Sequence, residues 1–202
     1  KFSKNGTEKV GINVYGNFST GGVGLTGIDT LSTTGNVTVT SSAYIKNIYT
    51  NGNVTLEGSA RADLISAKGW IYTKSGGTQG DLYADKYINI TNGSLKNANT
   101  LSYIDWPSGG GTAQILTAGG YVNFGSSSVN TIRAKGNVNL STWGTVSDVM
   151  SEGKIKCVST NWGNYTLLKA ISFESCPTKN ATTLPAGTDS IVATGALVTV
   201  TA

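Results

Sequence analysis

The sequence predicts an all-β fold: a single-domain, three-sided parallel β-helix (β-solenoid) with turns of about 17 residues and irregular end caps. Three observations predict it. The composition has 27 glycines, three prolines and one methionine in 202 residues, with only 13% charged side chains and a surplus of Thr, Ser and Asn. That mixture suits short strands joined by turns and suits helices badly. A five-residue pattern then recurs, from Gly35-Asn36-Val37-Thr38-Val39 to Gly52-Asn53-Val54-Thr55-Leu56, Gly69-Trp70-Ile71-Tyr72-Thr73 and onward to Gly153-Lys154-Ile155-Lys156-Cys157. Its central residues Val37, Val54, Ile71, Ile88, Ile104, Val122, Val138 and Ile155 are spaced by 17, 17, 17, 16, 18, 16 and 17. Lastly, further columns keep step with the first. Leu31, Ile48, Ile65, Leu82, Asn99, Leu116, Ile132 and Val149 precede it by about six residues.

Taken in order, residues 1–30 carry only an echo of the repeat and are expected to form an N-terminal cap or a degenerate first turn. Residues 31–157 supply about eight turns. A small or apolar column (Thr33, Thr50, Ala67, Ala84, Leu101, Ala118, Ala134, Ser151) and a weaker one (Ala43, Ala60, Gly77) complete three sides. No single turn of this length buries its own apolar side chains, so the core is expected from stacking like over like. Glycine before most central residues is read as a corner needing a positive φ. A one-residue deletion is placed just before Tyr103. Residues 158–202 are expected to be a C-terminal cap pinned by a Cys157–Cys176 disulfide. The alternating, uncharged run 195–201 reads as a terminal strand, either a self-cap or a strand donated to a neighbour.

The apolar-x-Ala-x-Gly-x-Val-x-Val turns of 31–157 resemble those of bactofilins and of filamentous-haemagglutinin-type adhesins, bacterial surface and filament β-solenoids. The resemblance implies a structural or adhesive role and self-association, and it carries over no catalytic or ligand residue.

The chain contains no histidine. That removes the commonest general base and metal ligand, and with them serine–histidine hydrolases and most zinc enzymes. Its acids form no pair on the 17-residue grid; Asp85 and Glu152 share a column but stand four turns apart. No catalytic residue, metal site or cofactor is expected, and the chain reads as non-enzymatic. The net charge of +4 comes from scarce acids, and the bases are scattered, which disfavours nucleic acid as a partner. No apolar run is long enough to span a membrane. A chain that opens on Lys1 with two cysteines reads as a mature segment of an exported, extracellular or cell-surface protein.

One constellation remains. Trp70, Tyr87, Tyr103 and Tyr121 occupy the same outward position in four consecutive turns, with Tyr72, Asn89, Asp105 and Asn123 in the adjoining outward column. Such a ladder suits three roles: stacking that braces the coil, contact with another protein or subunit, or a platform for sugar rings. Partners are therefore expected among copies of this chain in a filament or oligomer, other surface proteins, and glycans. The leading reading is a structural or adhesive surface element. A carbohydrate-binding module and the soluble head of a pilus-like subunit are the alternatives.

Overall fold

The computed structural model describes residues 10–22, 25–141, 144–158 and 164–201. These form one continuous parallel sheet wound into a β-solenoid of about ten turns. Among the described residues the helical content is one short 3-10 turn, Thr178–Asn180. Each described strand pairs with the strands one turn before and after it, and those at the two ends with one neighbour only. Leu31, Ile48, Ile65 and Leu82 stand in register, as do Val37, Val54, Ile71 and Ile88. Both columns are sealed from solvent along the rod. Alternation within each strand sends one face into this core and the other to the surface, so hydrophobic burial selects the register.

The solenoid runs past the predicted 31–157 at both ends. Val10–Val14 and Phe18–Ser19 pair with Ile28–Thr33 and Val37–Val39, which makes them a genuine first turn. The part of the expected cap that falls on residues 1–9 lies outside the described residues. Downstream, Asn164–Glu174 pairs along its length with Thr145–Cys157, and Ala181–Thr183 adds one more rung. The step from Ile155 to its partner Phe173 is 18 residues, and that from Val149 to Leu168 is 19, which blurs the repeat in the sequence.

Two inward assignments are corrected. Ala98, not Asn99, pairs with Leu82 and Leu116, and Thr100, not Leu101, pairs with Ala84 and Ala118. The one-residue deletion sits earlier than expected, in the loop between Ile88–Ile90 and Asn97–Thr100. Loops absorb length changes that a ladder cannot. Asn99 and Leu101 therefore face outward, and Leu101 is 53% exposed.

The corner glycines are also needed for a different reason. Among the described glycines of that column only Gly16 has a positive φ. A Cβ on Gly35 or Gly52 would stand 2.5 or 2.6 Å from the backbone of the previous turn, so it is close stacking that excludes side chains there. Inward hydroxyls brace the same corner: Thr33 donates to the Gly16 carbonyl, Thr50 to Gly35 and Thr100 to Lys86. Beside it runs an asparagine ladder. The side-chain carbonyls of Asn17, Asn36, Asn53 and Asn137 accept the backbone N–H groups of Asn36, Asn53, Trp70 and Lys154 one turn on, at 2.8 to 3.0 Å.

Cys157 and Cys176 form a disulfide. The expected terminal strand is absent: residues 196–201 join no ladder. Instead the chain turns at Pro185–Thr188 and runs lengthwise along the outside of the rod as an extended strap. Its amides are taken up by side chains of successive turns, so it neither covers the end of the solenoid nor extends a sheet.

Candidate functional site

The four predicted aromatic residues are brought together as a stack along the rod axis. Each central residue (Ile71, Ile88, Ile104, Val122) is locked in register, so the outward residue before it recurs at each rung. Ring centroids are 6.0 Å apart for Trp70–Tyr87, 4.9 Å for Tyr87–Tyr103 and 4.7 Å for Tyr103–Tyr121. The interplanar angles are 12°, 7° and 5°. The rungs of a parallel sheet repeat at about 4.8 Å, and near-parallel rings fill that spacing. At either end the aromatic stack gives way to the asparagine ladder, at Asn53 and Asn137.

This stacking decides what the rings offer. Tyr87 and Tyr103 each have a ring against both faces, so a sugar ring has no free aromatic face to lie on in the middle of the ladder. The edges face outward, and only the outer faces of Trp70 and Tyr121 have no ring against them. Partial burial, then the neighbouring Tyr121 and Tyr87 rings and the Asp105 carboxylate, push the Tyr103 hydroxyl up from its ordinary value. Burial, followed by Asp105, does the same for Tyr121. Both phenols therefore stay protonated through the neutral range, as donors and not charges.

The adjoining ledge is hydrogen-bonded within itself from Asp105 onward. The Asn123 side-chain amide donates to the Asp105 carboxylate at 3.1 Å, and Asn139 donates to Asn123 at 2.7 Å. Tyr72 lies one rung above Asn89 and carries the Lys74 ammonium 4.9 Å from its ring centre. The Asn89 side-chain carbonyl is buried without a hydrogen-bond partner. Among the described residues no cluster of three or more His, Cys, Asp and Glu side chains is placed to hold a metal ion. Among the same described residues no helix is long and apolar enough to cross a membrane.

Sequence reasoning missed a second feature on the neighbouring side of the same corner. Asn51, Asp85, Leu101, Gly119, Lys135 and Glu152 share one outward column, three residues before the central one. The strap lies along it. Glu152 accepts the amides of Ser190 and Ile191, Asp85 that of Ala196 at 2.7 Å, and Asn51 that of Val200 at 3.0 Å. From the adjoining column Asn99 accepts the Thr194 amide and Ser66 the Leu197 amide. Asp85 and Glu152 stand out as a column in the sequence, but their partner there is main chain, which no side-chain pattern reveals.

No protein-family profile, curated protein or solved structure matches this chain.

The ladder makes a direct prediction. Trp70→Ala with Tyr87→Ala removes two stacked pairs, each contributing about 0.5–1.5 kcal/mol beyond the area they bury. The double variant is expected to lose about 1–3 kcal/mol in denaturant unfolding while keeping its β spectrum. An unchanged unfolding midpoint would mean the rings do not brace the coil.

Proposed function

We propose that this chain is a non-enzymatic structural or adhesive rod of the cell exterior. The observation that supports this best is that all 19 described strands join one continuous parallel ladder, closed by a disulfide near its C-terminal end and bound lengthwise by a strap. Hydrogen bonds along the axis make such a rod stiff, and ten rungs give it a length of roughly 45–50 Å. A disulfide suits an oxidising compartment. The resemblance of the turns to those of filamentous-haemagglutinin-type adhesins agrees with this reading.

Of the partners considered for the aromatic ladder, another protein or copy is favoured over a glycan. The interior ring faces are covered, whereas ring edges and tyrosine hydroxyls remain available to a polypeptide. The test has two parts. Negative-stain electron microscopy of the oxidised protein is expected to show rods or their assemblies. In the source cells a membrane-impermeant amine label is expected to reach the chain without lysis. Labelling that requires lysis would overturn the exterior location. Cleavage of a polysaccharide by the purified protein, abolished by no contaminant control, would overturn the non-enzymatic reading.

A further inference from the structure

We infer that the lateral face under the strap is a seat for this chain's own C-terminal segment in exchangeable form, so that residues 189–201 of a second copy occupy it and join rods side by side. This goes beyond the structural reading above and does not depend on the exterior location.

The seat reads main chain. Six amides of the strap, those of Ser190, Ile191, Thr194, Ala196, Leu197 and Val200, donate to Glu152, Asn99, Asp85, Ser66 and Asn51. The Asn51 side-chain amide returns a 2.7 Å bond to the Val200 carbonyl. The acceptors are spread from the turn of Glu152 back to that of Asn51. Six steps between rungs at about 4.8 Å span about 29 Å, within the reach of the eleven residues from 190 to 200 when extended.

Three side-chain features fit the seat to this segment in particular. Asp189 pairs with Lys135 at 2.7 Å, Ile191 is buried, and Gly195 passes tightly over Asp85 and Leu101. A Cβ at Gly195 would stand 2.2 Å from the Asp85 carboxylate. A generic extended peptide lacks that glycine at that offset, whereas a second copy carries it.

The same strap is poorly anchored by apolar burial. Val192 is 81% exposed, and Leu197 and Val198 are about half exposed. A segment held by surface hydrogen bonds and one buried side chain sits at the low end of local stability and opens readily. It leaves the rod through a turn at Pro185–Thr188 with Gly187 at a φ of 82°. Straightening that turn frees the strap without disturbing the ladder. Every contact in the seat is the same whether the strap comes from its own rod or from another, which is the condition for exchange between copies.

The test uses full-length chains. A Lys135→Cys variant and an isotope-labelled Asp189→Cys variant are mixed at high concentration and mildly oxidised. The covalent heterodimer is then counted by mass. It is expected to exceed by several-fold that from a control mixture of Lys74→Cys with Asp189→Cys, and to fall several-fold when both partners also carry Asp85→Ala. The double variant Lys135→Cys/Asp189→Cys is oxidised alone as a measure of the seat itself. Its cross-linking only within monomers, with heterodimer at the control level, would overturn exchange. No cross-link of any kind in that variant would overturn the seat.

Discussion

Val54→Asp is expected to abolish folding of the rod. Val54 is fully buried, stacked between Val37 and Ile71 in a column of aliphatic side chains. A carboxylate there loses its hydration without a partner, a cost of several kcal/mol, comparable with the whole stability of an ordinary domain. A solenoid has no alternative core: each turn is stabilised only by its neighbours, so a break at one rung disconnects the turns on either side. The variant is expected to lose its β-type circular dichroism and its cooperative unfolding. Thr55→Asp, one residue on and outward, is the control and is expected to shift stability by about 0.5 kcal/mol or less. A folded Val54→Asp chain would mean that the 17-residue register places the wrong face inside.

That register was legible because it is a repeat. Eight central residues in step state both the period and the inward face; the column through Val37 follows the written spacing throughout, and that through Leu31 does so except at Ala98. Two things were not legible. The deletion near residue 91 looks the same in the sequence wherever it falls between two columns; only backbone pairing tells that Ala98 and Thr100 point inward. Sequence gives no distance between turns, so on that basis Gly35 and Gly52 answer only to a conformational need. The structure shows that the stacked backbone leaves no room for a Cβ.

The surface was legible in part, and for a related reason. Trp70, Tyr87, Tyr103 and Tyr121 could be aligned because they ride on the repeat, but whether rings present faces or edges depends on rung spacing and side-chain rotamer. The strap was hidden altogether. Its residues alternate as a strand would, yet its partners are carboxylate and amide side chains from turns as far apart as Asn51 and Glu152. Such contacts follow the rod axis and leave no periodic mark in the strap itself.

Removing the disulfide by Cys157→Ala with Cys176→Ala is expected to cost about 3 kcal/mol, the chain-entropy value for a closed loop of about 20 residues. The sequence separation is 19, and both cysteines pack with the core, Cys157 beneath Leu140 in the inward column. The bridge ties the last long turn, Asn164–Glu174, to the rung before it, at the end where no further full turn adds its stabilisation. The loss should therefore appear first at that end. Limited proteolysis of the variant is expected to cut within or after 164–174 while the turns from Ile28 to Leu140 stay intact, and the unfolding midpoint should fall. The strap originates just beyond this turn, so its bonds to Glu152 and Asp85 should loosen as well, seen as faster exchange of the Ser190, Ile191 and Ala196 amides. If the variant unfolds at the parent midpoint and resists protease equally, the turn is held by its ladder alone.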